Sequence, residues 1–161
     1  MIKKLLAVVG FIVVLIASAI GGLIGKEVGK SAFSSKPSEY EREAKLIEGF
    51  RTAAKQVNAT LPTMIDEETR MDNVTVGPEA RITYHYSFPN YSAGEIDSSW
   101  LLTNLRPDLK NNVCANSDMK PSLEYGGTYT YSYSGNDGIL IVSFNLNGTD
   151  CGFADFDGGG W

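Results

Sequence analysis

Residues 128–146 read TYTYSYSGNDGILIVSFNL. From Thr128 to Ser134 a hydroxyl residue alternates with a tyrosine. A period of two is the signature of a strand, so Tyr129, Tyr131 and Tyr133 share one face. Gly135-Asn136-Asp137-Gly138 supplies turn residues, and Ile139 to Leu146 is a second strand-like run. Together they predict a β-hairpin.

An earlier segment repeats the pattern. Arg70 to Val76 and Arg81 to Phe88 are strand-like runs joined by Gly77-Pro78-Glu79-Ala80. In the second run Ile82, Tyr84, Tyr86 and Phe88 alternate with Arg81, Thr83, His85 and Ser87, which again puts the aromatic residues on one face.

A helix precedes each hairpin. Ser38 followed by Glu41 fits a capping box, with Pro37 in front of it. Tyr40, Ala44, Ile47, Phe50, Ala54 and Val57 then follow at helical spacing, and Pro62 ends the run. Between the hairpins, Asp97 to Cys114 carries Trp100, Leu101, Leu105, Leu109 and Val113 as an apolar stripe. Pro107 predicts a kink there or two short helices, because proline removes an internal hydrogen bond. Asp118 to Tyr125 adds a further turn. The expected fold is α+β: a two-layer αββαββ domain with a mainly antiparallel four-stranded sheet and helices on one face.

Outside this body lies an uncharged run, Leu5 to Ile24, LLAVVGFIVVLIASAIGGLI. Twenty residues at about 1.5 Å each span roughly 30 Å, the thickness of a bilayer's hydrocarbon core. It reads as an N-terminal transmembrane helix. The rival is a cleaved signal peptide ending at Ala17-Ser18-Ala19, but the apolar run continues through Ile20, Leu23 and Ile24. The chain divides into a membrane anchor or uncleaved signal segment (1–25), a linker (26–37), an α+β domain (38–152) and a Gly-rich tail (153–161). The expected location is the inner membrane, single-pass, with the body in the periplasm, or secretion if the segment is cleaved.

Charge narrows the partners. The chain has 161 residues and net charge −5, but beyond Gly25 it carries 12 basic and 19 acidic groups, a net of −7. Such a body repels phosphate backbones, which argues against nucleic acid as a partner. It favours another protein, alongside the membrane met by the N-terminal helix.

Cys114 and Cys151 belong to no CxxC motif, and with one histidine they do not make a standard zinc site. They read as a disulfide, which implies an oxidising compartment. His85 alternates with Thr83 and Ser87, and no spacing supplies it with a nucleophile or an orienting acid. A hydrolase built on His85 would need both in one cleft. Asp155 and Asp157 lack the remaining ligands of a calcium loop. Nothing in the sequence calls for a cofactor or a metal, and no catalytic constellation is legible. Asp66, Glu67 and Glu68 form an acidic cluster that reads either as a solvated turn or as a patch for a basic partner. The tyrosine rows read as the core face of the sheet, with a stacking surface for a glycan or peptide as the alternative. N-x-[ST] sites occur at Asn58, Asn73, Asn90 and Asn147.

The run LPTMIDEETRMDNVTVGPEARITYHYSF (Leu61 to Phe88) and NNVCANSDMKPSLEYG (Asn111 to Gly126) resemble a group of small bacterial membrane-anchored or periplasmic proteins with no named activity. The resemblance implies a bacterial source and no site residues. The functional expectation is a membrane-tethered extracytoplasmic protein-interaction module. The alternatives are a glycan or cell-wall ligand-binding module using exposed tyrosines, and an immunity-type inhibitor of a toxin. Trp100, Phe153, Phe156 and Trp161 are further candidate anchors for a partner.

Overall fold

The computed structural model describes residues 38–153. The apolar N-terminal run, the linker, and Asp155, Phe156, Asp157 and Trp161 lie outside the described residues. Among those described, no helix is long and apolar enough to cross a membrane.

The fold is α+β, with a five-stranded mixed sheet. Its elements are α1 (Glu39–Asn58), β1 (Thr63–Met64), β2 (Arg70–Gly77), β3 (Arg81–Phe88), α2 (Ser98–Ala115), α3 (Lys120–Glu124), β4 (Thr128–Gly135) and β5 (Leu140–Leu146). Short 3₁₀ turns stand at Ala93–Glu95 and Thr149–Cys151. The strands lie side by side in the order β1-β2-β3-β4-β5.

The sheet is mainly antiparallel, as expected, but its expected four strands are corrected to five: a two-residue strand, β1, is added beside β2. The central pair β3–β4 is parallel. The connection explains the parallel pair. Helix α2 has 18 residues, about 27 Å at 1.5 Å per residue. Strand β3 has eight, about 26 Å at 3.3 Å per residue. The helix therefore returns the chain along the full length of β3, and β4 starts where β3 started. Parallel strands need a crossover of this kind.

Helix α1 begins as read. The Ser38 side chain accepts from the Glu41 N–H, and the Glu41 carboxylate accepts from the Ser38 N–H at 2.8 Å. The expected stripe holds over Ile47, Phe50, Ala54 and Val57, which lie in or against the core, and fails at its start. Leu46, Phe50, Ala53 and Ala54 are buried, whereas Tyr40 is 80% exposed and Ala44 is exposed. The first turns of α1 present polar side chains to the fold instead: the Glu43 carboxylate accepts from the Glu79 N–H in the β2–β3 turn at 3.1 Å. Helix α2 runs unbroken through Pro107. Its buried residues Leu101, Leu105, Leu109 and Val113 recur every four positions on both sides of the proline. Burial of that stripe on the sheet outweighs the bond the proline removes.

One close approach locks the hairpin end of the sheet. A Cβ on Gly135 would collide with the Ala93 nitrogen and lie 2.6 Å from Asp137 Oδ1 and 2.8 Å from the Ser92 carbonyl carbon. The loop is held there because the Asp137 carboxylate accepts from the N–H groups of Ala93 (3.2 Å) and Ile139 (3.1 Å). Gly135→Ala is expected to cost about 2 kcal/mol, as an overpacked site does. Urea unfolding measures this, and an unchanged midpoint would show that the loop yields freely.

Candidate binding surface

The sheet has two unlike faces. On one, Ile82, Tyr84, Tyr86 and Phe88 of β3 meet Tyr129, Tyr131 and Tyr133 of β4 in parallel register, with Val142, Phe144 and Leu146 of β5 beyond. Tyr84 stacks on Tyr131 with centroids 5.5 Å apart, Tyr86 on Tyr133 at 5.0 Å, and Phe50 of α1 meets Tyr129 edge-on at 5.5 Å. Tyr129, Tyr131 and Tyr133 are at most 1% exposed. The reading of these three as a possible exposed binding surface is thereby corrected: the helices cover them, and they are core. The Tyr129 hydroxyl is shared with Ser122 Oγ at 2.6 Å. The hydroxyls of Tyr84, Tyr131 and Tyr133 have no protein partner. Burial drives the pKa of all five tyrosines on this face up, so they stay neutral in any ordinary buffer.

The other face is polar, and, Ser87 and Thr130 apart, its residues are only partly covered. It carries Thr83 and His85 of β3, Ser132 of β4, and the exposed Thr75, Ser143 and Asn145. His85 Nε2 lies 2.8 Å from Thr75 Oγ1 across the β2–β3 pair. No nucleophile–histidine–carboxylate chain is assembled on it among the described residues. Partial burial lowers the His85 pKa, only partly offset by the charge of Asp72. A depressed histidine binds its proton more readily in the unfolded chain, so the folded state gains stability as pH rises. That contribution is complete above the ordinary imidazole value of 6.5 and is lost as pH falls from there through the lowered value of the folded state. Urea midpoints between pH 7.5 and 5 should decline in the native protein and decline less in His85→Asn. Parallel profiles would count against the depressed imidazole.

The acidic cluster is mostly consumed by its own turn. Asp66 Oδ1 accepts from the N–H groups of Glu68 (2.8 Å) and Thr69 (2.6 Å). Glu68 Oε1 accepts from the Tyr91 hydroxyl at 3.1 Å, and this raises the tyrosine pKa. Glu67 alone of the three is exposed and makes no hydrogen bond or ion pair. The solvated-turn reading describes Asp66 and Glu68 incompletely, since both organise the entry to β2.

Cys114, near the end of α2, is bonded to Cys151 with Cα atoms 5.2 Å apart. Arg106 of α2 pairs with Asp150 at 3.0 Å beside it. Trp100 and Phe153 are partly buried against the core, and the Lys120 ammonium stands 5.7 Å from the Phe153 ring. Among the described residues no group of three or more His, Cys, Asp or Glu could hold a metal ion.

The edges of the sheet were not visible in the sequence. On the β2 side, β1 pairs with residues 70 and 71. Further along, the Asn58 amide donates to the Val74 carbonyl (2.8 Å) and accepts from the Val74 N–H (2.7 Å). This Asn is one of the four N-x-[ST] sites, and its side chain is already spent. On the β5 side no such cover is present. The outward backbone groups of residues 140–146 have no hydrogen-bond partner among the described residues. Buried backbone groups without partners are rare, so this edge meets solvent. Ile139 and Leu140 at its start are 60% and 57% exposed.

A family model described as "Domain of unknown function (DUF8479)" matches residues 47–140, and the chain belongs to that family. No curated protein sequence matches the chain. Three solved structures share its fold. A presumed secreted protein from Pseudomonas aeruginosa has TM-score 0.57 and 20% identity, over 68% of this chain and 96% of that one. The pilotin EpsS of the Vibrio vulnificus type II secretion system has TM-score 0.57 and 15% identity, over 69% and 96%. The pilotin AspS of the Vibrio cholerae type II secretion system has TM-score 0.55 and 15% identity, over 71% and 100%. At these identities the likeness is one of fold.

Proposed function

We propose, with membership of this family as the premise, that the protein is a non-enzymatic interaction module working outside the cytoplasm of a bacterial envelope. Its N-terminal apolar run would hold it at the inner membrane with the body in the periplasm. The observation that carries the reading is the fold held in common with two pilotins of type II secretion systems. A component of an envelope machine of that kind is the partner class that fits. The Cys114–Cys151 bond supports an oxidising compartment. The side chains that could have carried other readings have structural duties. The tyrosines of the glycan-binding alternative are core, and two of the three acids of the inhibitor alternative bind within the fold.

The test is crosslinking of the tagged full chain in intact host membranes, followed by identification of what is captured. One envelope protein, recovered repeatedly and less well at high salt, is the expected result. Recovery of no specific protein would overturn the reading. Glu67→Lys is the safe charge probe in this experiment. Reversal of Asp66 would break the turn before β2.

A further inference from the structure

The two edges of the sheet are treated differently. Strands that end a sheet expose backbone groups able to pair with another chain, and folded proteins usually blunt them with short strands, charges or side-chain cover. The β2 edge has all three: the two-residue β1, the Asn58 clamp on Val74, and the acidic turn at 66–68. The β5 edge has none of these, and its one irregularity is a bulge near its start, where Ile141 is skipped between the Tyr133–Val142 and Ser134–Leu140 pairs. Its seven residues, LIVSFNL, contain no charge and no proline, and its outward backbone groups are unpaired among the described residues.

We propose that β5 is a docking edge at which an extended, basic-flanked segment of another protein adds as a sixth strand. The proposal rests on the interaction reading above and names its surface and partner chemistry. Backbone pairing along residues 142–146, beyond the bulge at Ile141, would supply the register, and exposed Ile139 and Leu140 would supply apolar contact. Charge chooses the partner. Glu95, whose carboxylate accepts from the N–H and hydroxyl of Ser92, and Asp137, whose carboxylate accepts from the Ala93 N–H, stand at the Ile139 end of the strand, and neither is in an ion pair. The described residues 38–153 carry 9 basic and 16 acidic groups. A second copy would bring a matching negative body and matching acids to the same edge. A segment with lysine or arginine beside its apolar strand residues meets opposite charge instead.

The probes are two peptides, KKTVTVTKK and EETVTVTEE, titrated into isotope-labelled protein and followed by amide NMR at low salt. The lysine peptide should shift the amides of residues 139–146 selectively. The glutamate peptide should bind at least tenfold more weakly. Methylation of the peptide nitrogens along one edge should abolish binding. Ser143→Lys, at an exposed position of β5, should weaken binding tenfold or more, and Asn73→Lys on the far side should not. No binding, shifts centred elsewhere, or concentration-dependent shifts without peptide (a second copy at the edge) would each overturn the proposal. Partner capture from membranes combined with no β5 shifts would refute the edge and leave the interaction reading standing.

Discussion

Cys114→Ser combined with Cys151→Ser is expected to lower the stability of the domain by about 4 kcal/mol. The bond closes a loop with a sequence separation of 37. In the chain-entropy treatment a loop of that size restricts the unfolded state by about 4 kcal/mol. For a domain of this size the thermal midpoint should fall by about 20 °C. The loss should be local as well as global. The bond ties the end of α2 to the segment after β5, so proteolysis of the double variant should begin near Thr149–Cys151. A midpoint within a few degrees of the native protein would mean that the Arg106–Asp150 pair and the packing of α2 suffice without the bond.

The second large effect lies in the tyrosine layer, where two substitutions at one position should act in opposite directions. Tyr131 is 1% exposed and lies between Tyr84 at 5.5 Å and Phe144 at 5.7 Å. Tyr131→Ala removes the ring from the centre of the sheet and should cost about 4 kcal/mol, as large-to-small changes in cores do. Tyr131→Phe keeps the ring and removes a hydroxyl that has no protein partner. An unpaired buried hydroxyl is destabilising, so this change should raise stability by about 1 kcal/mol. Chemical denaturation of the three proteins decides it. A destabilised Phe variant would show that the hydroxyl is bonded and that the layer is polar by design.

What could be read in the sequence was what is local. Both hairpin strand pairs that flank tight turns were legible, because period-two alternation and Gly/Asn/Asp turn chemistry are written in neighbouring residues. The Ser38–Glu41 cap was legible for the same reason. The disulfide followed from the cysteines standing outside any metal motif. The parallel pairing of β3 with β4 was hidden because it depends on where α2 delivers the chain, and no residue in either strand records that. The α1 stripe does not extend to Tyr40 and Ala44, which are exposed, because helical spacing alone does not say how far along the helix the core reaches. Pro107 does not split α2 into two helices, because the buried Leu101, Leu105, Leu109 and Val113 run on both sides of it. The candidate surface was the least legible part. The residues marked by chemistry, the tyrosines and Asp66–Glu68, are largely structural. The open edge at β5 is a property of backbone groups and strand order, which side-chain patterns do not show.

The most direct test of the central claim, an envelope-facing domain that acts by binding a protein, is site-resolved photocrosslinking in intact cells. A photoreactive residue is placed in the full chain at Leu140 or Ser143 on β5, and at Glu67 or Asn73 on the far side. The account predicts adducts to one envelope protein from the β5 positions and few or none from the other two. Adducts formed equally from all four positions, or from none, would contradict it.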